Sequence, residues 1–190
     1  FKGEKAGFWG HAAAFSLNPM KPLGALGEAG IVLSDDEQFT NKVRSLRYLG
    51  TKDVEICEDP DLNHKIDEIQ ALWLLERLKR LDDTLSKRRS LAKRFSESFP
   101  EEIRIIGIEE PNRTTFFEFT IEVDNRDELK QYLDRLQIET RIKHPILMSN
   151  QPIYKNAKKL NLKVAKIVCA HSLSLPLHKH LSFSEQEYVI

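Results

Sequence analysis

Phe15-Ser16-Leu17-Asn18-Pro19-Met20-Lys21-Pro22-Leu23-Gly24-Ala25-Leu26-Gly27-Glu28-Ala29-Gly30 is the stretch on which the reading of this chain turns. Lys21 lies between two short apolar runs, and glycines follow it at 24, 27 and 30. Apolar surroundings disfavour an ammonium ion, and a neutral amine can attack a carbonyl carbon. That is the chemistry of a Schiff-base lysine. Ser16, five residues earlier, could hydrogen-bond a phosphate, and the glycines would let the backbone approach a flat group closely. Pyridoxal phosphate (PLP) is the cofactor that most often uses such a lysine. The same pattern also reads as an ordinary strand, glycine turn and strand with a solvated lysine near the tip. The residues alone leave both readings open.

Outward from this stretch, Ala12 to Leu17 and Ala29 to Ser34 read as buried strands. Asp35-Asp36 offers an N-cap for a helix through Phe39, Val43, Leu46 and Leu49 that stops at Gly50. Thr51 to Lys65 is polar and aperiodic, a long loop of the kind that often carries function. Asp67 opens a long amphipathic helix with Ile66, Ile69, Leu72, Trp73, Leu78, Leu81 and Leu85 on its apolar stripe. Leu74 and Leu75 broaden that face, which suggests packing on more than one side. The helix continues, with a break, through Leu91, Ala92 and Phe95 to Phe99, and Pro100 ends it.

From Glu101 onward the expected order is strand, strand, helix, strand, helix. The strands are Ile103 to Ile106, Thr115 to Val123 and Glu139 to Ile142. The helices are Asn125 to Leu136 and about Lys163 to His171. Ser184-Glu185-Gln186-Glu187 begins one more. This is an α+β layer, with helices on one face of a small sheet.

A chain of 190 residues can hold one or two small domains. Lys plus Arg and Asp plus Glu balance at 29 each, so charge makes no case for nucleic acid or an anionic membrane. The apolar runs fall short of the ~18 residues that cross a bilayer. Cys57 and Cys169 make neither a disulfide framework nor a metal pair, and His171, His178 and His180 are not at zinc-ligand spacing. Lys87-Arg88-Arg89 reads as a solvated helix face. The chain opens at Phe1 and ends within an apparent helix, so it is expected to be part of a longer protein.

The segment Phe15 to Gly30 resembles the PLP-lysine segment of the DegT/DnrJ/EryC1/StrS family of sugar aminotransferases. The resemblance continues through Ile31-Val32-Leu33-Ser34-Asp35-Asp36 and includes Lys2 to Gly7, Arg44 to Arg47 with Gly50-Thr51, and Asn63 followed by Asp67-Glu68-Ile69-Gln70-Ala71. Gln151-Pro152, Leu173 to His178 and Glu185-Gln186 follow in the family's order.

The resemblance implies the C-terminal half of a fold-type I PLP-dependent aminotransferase, α/β plus α+β. Residues 1–50 would end the large cofactor domain. Residues 51–100 would form an interface loop and interdomain helix, and 101–190 the small domain. The activity implied is PLP-dependent transamination of a nucleotide-linked keto sugar, with glutamate as donor, in cytoplasmic aminosugar biosynthesis. Lys21 would hold PLP and transfer protons, and Ser16 would bind its phosphate. Asn63 would reach the phosphate of the neighbouring subunit in a homodimer with shared sites. Lys65, Lys143 and His144 would face the substrate. Related sugar dehydratases have histidine in place of the lysine, so Lys21 favours aminotransfer. The ring-stacking aromatic, the phosphate loop and the aspartate for the pyridine nitrogen belong to the family's other half, so this chain alone is expected to be inactive.

The sequence also departs from the family pattern. Asp61 and Lys65 stand where glycine and arginine are usual, Lys143-His144 where His-Tyr is usual, Ser149 where a histidine is common, and His11 where aspartate is. These departures motivate a rival reading, a non-catalytic fragment or degenerate homologue serving as an interaction module.

Overall fold

The structure is a computed structural model that describes residues 1–53, 56–107, 111–156 and 161–190. The chain divides into two compact units, Phe1–Thr84 and Leu85–Ile190.

In the first unit, β1 (Ala13–Ser16) pairs antiparallel with β2 (Gly30–Leu33), with Ser16 opposite Gly30 and Ala13 opposite Leu33. The helix α1 (Glu37–Leu46) follows, capped by Asp36, whose side chain accepts the Phe39 N–H. Leu49 lies beyond this helix, in the left-handed region at φ 59°. The expected long loop contains a small ladder, β3 (Thr51–Lys52) with β4 (Ile56–Cys57); its residues 54 and 55 lie outside the described residues. The loop closes on itself: the Leu49 N–H donates to the Leu62 carbonyl and the His64 N–H to the Arg47 carbonyl. Gly50 makes the corner at φ 63°, where an added Cβ would lie 1.9 Å from the Asp59 carbonyl oxygen.

Two expectations for this unit change. The strands are not buried: every residue of β2 is exposed. A two-stranded ribbon covers neither of its own faces, and Ile31, Val32 and Leu33 stay 40–52% exposed. The long helix breaks at Lys79-Arg80, between α2 (Glu68–Leu78) and α3 (Leu81–Ser98). Of its apolar stripe, Ile69, Leu72 and Leu78 are exposed, whereas Leu74 is buried.

In the second unit, β5 (Arg104–Ile105), β6 (Phe119–Glu122) and a later strand form an antiparallel sheet with β6 in the middle. After β6 come α4 (Arg126–Arg135) and α5 (Lys163–His171). The third strand is β7 (Ser172–Leu175), paired with β6 from Phe119↔Leu175 to Glu122↔Ser172. The strand expected at Glu139 to Ile142 reduces to one bridge, Arg141↔Ser174. The last helix, α6 (Phe183–Val189), starts with a capping box: Ser182 Oγ accepts the Glu185 N–H, and Glu185 accepts the Ser182 N–H.

One core joins these elements. Phe95 and Phe119 are fully buried with ring centroids 5.1 Å apart, and Ile121, Leu133, Ile138 and Leu173 pack with them. Gln186 is buried too, its Nε2 donating to the Leu91 carbonyl at 2.6 Å. Arg88 and Arg89 correct the reading of a solvated basic run. The Arg88 guanidinium is buried and donates to the Phe116 and Phe117 carbonyls at 2.7–2.9 Å, and Arg89 donates to the Thr114 carbonyl. Phe116 has a positive φ of 47°, and Arg88 supplies donors to carbonyls that the irregular backbone there leaves outside the sheet.

Among the described residues, no helix is long and apolar enough to cross a membrane, and no cluster of His, Cys, Asp and Glu could hold a metal ion. Both cysteines are free.

Candidate active site

Lys21 sits at a turn in the loop that joins β1 to β2, and it is half-buried. Asn18 organises this turn. Its carbonyl accepts the Lys21 N–H at 2.9 Å and its Oδ1 accepts the Met20 N–H at 2.9 Å. Its Nδ2 donates to Glu28 Oε1 at 2.7 Å, which ties the start of the loop to its end. The Leu17 N–H donates to the Ala29 carbonyl (2.9 Å) and the Ala25 N–H to the Leu17 carbonyl (2.8 Å). A Cβ added at Gly24 would lie 2.5 Å from the Pro19 carbonyl oxygen, so the loop tolerates only glycine there.

Beneath the turn, Leu17, Ala25 and Leu74 form a small buried core, with Leu23, Ala29 and Ile66 against it. Two side chains of α2 reach the loop. Trp73 Nε1 donates to the Gly24 carbonyl at 3.1 Å, and Arg77 Nη2 to the Pro22 carbonyl at 3.2 Å. The Arg77 guanidinium lies 5.7 Å from the Trp73 ring centroid.

The glycines at 24, 27 and 30 have close neighbours within the protein itself. At Gly24 the close neighbour is the loop itself. At Gly27 it is the Gln70 side chain, 3.4 Å from an added Cβ, and Gly30 pairs with Ser16 in the ladder. Their smallness serves the protein's own packing.

Ser16 is exposed at the end of β1, and its Oγ accepts the Asn18 N–H at 3.3 Å. Asn63 is exposed too, bridged to Tyr48, and its Oδ1 accepts the Lys65 N–H at 3.0 Å. Both residues spend an acceptor within the protein and keep a donor: the serine O–H and the asparagine NH₂. A phosphate oxygen takes only donors. The chemistry of these two side chains, each with a donor left over, suits a phosphate oxygen.

Lys65 Nζ lies 5.6 Å from the Tyr48 ring centroid. The neighbouring Asp61 does not stand as a bare charge. Its Oδ1 accepts the Leu62 N–H at 2.7 Å and meets His64 Nε2 at 3.1 Å. The Leu62 N–H, assisted by His64, holds this carboxyl below its ordinary range. Lys143 and His144 belong to the second unit. Lys143 Nζ pairs with Glu118 Oε1 at 2.6 Å and lies 4.9 Å from the Phe117 ring centroid, and His144 is exposed.

The residues that sequence reasoning missed are Asn18, Trp73 and Arg77. One signal was available for Trp73: an indole N–H packed against protein needs an acceptor.

A profile of the DegT/DnrJ/EryC1/StrS aminotransferase family matches residues 1–190. The chain is 31% identical, over its whole length and 53% of the relative's, to the erythromycin biosynthesis sensory transduction protein EryC1 of Saccharopolyspora erythraea. It is 30% identical, over 99% of its length and 53% of the relative's, to a dTDP-3-amino-3,4,6-trideoxy-alpha-D-glucose transaminase of Micromonospora megalomicea subsp. nigra. Among solved structures, NtdA of Bacillus subtilis with its cofactor PMP bound matches with a TM-score of 0.81 at 26% identity, over 97% of this chain and 45% of that one. The chain spans about half the length of the curated relatives it matches. Its mixed α/β fold is that of PLP fold-type I aminotransferases, over the half of them that it matches. The chain therefore belongs to the DegT/DnrJ/EryC1/StrS aminotransferase family.

Proposed function

We propose that the protein carrying this chain transfers an amino group to a nucleotide-linked keto sugar, with PLP as cofactor and glutamate as donor. The observation that carries this is the Lys21 turn: a half-buried lysine, its backbone locked by Asn18, in a chain matched end to end by a sugar-aminotransferase family. The transaminase relative acts on a dTDP-linked amino sugar, and the NtdA structure contains PMP, which supports the substrate class and the cofactor.

When bound, PLP supplies an electrophilic carbonyl and a ring that stabilises a carbanion. Lys21 Nζ holds the cofactor covalently. The Lys21 amine would serve as the proton carrier at the reacting carbons, the donor's α-carbon and the sugar carbon that receives nitrogen. Ser16 Oγ–H donates to the cofactor phosphate. Asn63 Nδ2 donates to the phosphate bound by the neighbouring subunit, which makes the working unit a homodimer. Lys143 and His144 serve the substrate diphosphate, Lys143 with its charge partly balanced by Glu118, and Lys65 is a further candidate for substrate binding. Residues 1–50 then close the large domain, 51–100 form the interface loop and connecting helix, and 101–190 are the small domain. The 190-residue chain alone binds PLP weakly. The setting that fits such a substrate is cytoplasmic aminosugar synthesis.

The test is a transamination assay on the complete gene product with PLP, glutamate, and dTDP- and UDP-linked 3-keto and 4-keto sugars. The expected result is 2-oxoglutarate released in step with an amino sugar. No turnover with any of them, in a folded protein with PLP attached at Lys21, would return the chain to the non-catalytic reading.

A further inference from the structure

We propose that Trp73 and Arg77 are positioning residues for Lys21, holding its turn against α2 through the two carbonyls at Pro22 and Gly24. The inference rests on the reading of Lys21 as the cofactor lysine.

A lysine reaches its work through four flexible methylenes. What a protein can fix is the backbone from which they start, and misplacing a reacting group by about 1 Å can cost on the order of 10²-fold in rate. Within the loop from residue 17 to residue 29, Asn18 holds the Met20 and Lys21 N–H groups on the side that leads into the lysine. Pro19 and Pro22 flank Lys21 and have no N–H to donate. The bonds from Leu17 to Ala29 and from Asn18 to Glu28 tie the loop's ends. The carbonyls that follow Lys21 are held from outside the loop. Trp73 and Arg77 stand one helical turn apart on α2, so they share a face, and they donate to carbonyls two residues apart in the loop. Leu74, between them in sequence, packs on Leu17 and Ala25. The guanidinium over the indole orients both donors. The helix thus holds the side of the turn that follows Lys21, as Asn18 holds the side that precedes it.

The test uses the complete gene product with and without PLP. Trp73→Phe removes the indole N–H and keeps the ring. Arg77→Met removes the other donor and keeps an apolar stem, and it repeats the test if Trp73→Phe does not fold. Losing one bond should speed amide exchange of the 17–26 segment in cofactor-free protein by about fivefold, with peptides of the second unit unchanged. In the loaded enzyme kcat should fall roughly tenfold, while KM for the keto sugar stays within about twofold. The pH midpoint of the cofactor's visible band should move as well. Unchanged exchange would overturn the clamp. Faster exchange with unchanged kcat and an unchanged band would reduce it to local packing. A wild-type protein with no cofactor on Lys21 removes the reading of Lys21 and the positioning role with it, and the exchange data alone then report the clamp.

Discussion

The two units of this chain hold themselves together by different means. In the second, twelve buried apolar residues form one cluster between α3, α4 and a three-stranded sheet. In the first, the cluster has three, Leu17, Ala25 and Leu74. There the order around Lys21 comes from hydrogen bonds: Asn18 within the loop, Trp73 and Arg77 from α2. The contrast separates fold from chemistry. Substitutions in the buried cluster of the second unit should be read in stability, and those around Lys21 in cofactor handling.

Lys21→Ala breaks the comparison on the chemical side and should have the largest effect. It removes the covalent anchor and a general base whose loss alone costs roughly 10²–10⁴-fold in rate. Turnover of the complete gene product should vanish while its fold and dimer stay largely intact. Near-normal transamination would take Lys21 out of the site.

Phe119→Ala probes the other side. The ring is fully buried against Phe95 and Phe99, and emptying it should cost about 3–5 kcal/mol of stability in denaturant titration. Cofactor attachment to Lys21 should persist wherever the protein remains folded. A loss under 1 kcal/mol, on the order of a surface change, would mean the cluster is not the stabilising core.

Asn63→Ala sharpens the comparison within the first unit. It should weaken PLP affinity by roughly 1.5–3 kcal/mol, the scale of a hydrogen bond to a charged group, without changing kcat at saturating PLP. A mixed dimer of Lys21→Ala and Asn63→Ala subunits has one doubly defective site and one intact site. At limiting PLP it should recover activity approaching half of wild type. No recovery would place Asn63 in its own subunit's site or in none.

Ser182→Ala is the smallest. It deletes the capping box of α6, and about 1 kcal/mol of stability should go with it. Unchanged unfolding would show that α6 is held by Gln186, the core and the contacts of Arg94 and Tyr188 without need of its cap.

Much of this was legible in the sequence because the signals were local. Asp36 caps α1, Asn125 precedes α4, and the Lys21 segment lies between two strands that pair. What escaped depends on neighbours distant in sequence. β7 does alternate as Ser172-Leu173-Ser174-Leu175, yet only its pairing with β6 makes it a strand. The break at Lys79-Arg80 carries no glycine or proline to announce it. Trp73 and Arg77 sit in an apolar helix pattern, and their acceptors lie 49 and 55 residues away. Arg88 looked solvated because a short basic run usually is; only the carbonyls of Phe116 and Phe117 explain its burial. Among the site residues, the types at Ser16, Lys21 and Asn63 could be read from the sequence. That Ser16 and Asn63 each spend an acceptor and keep a donor could not.

The measurement that tests the central claim most directly is borohydride reduction of the PLP-loaded complete gene product, followed by peptide mass mapping. The account predicts a phosphopyridoxyl group on Lys21, within the peptide spanning residues 15–30, and none in the Lys21→Ala variant. A label on another lysine, or active transamination with Lys21 unlabelled, would contradict it.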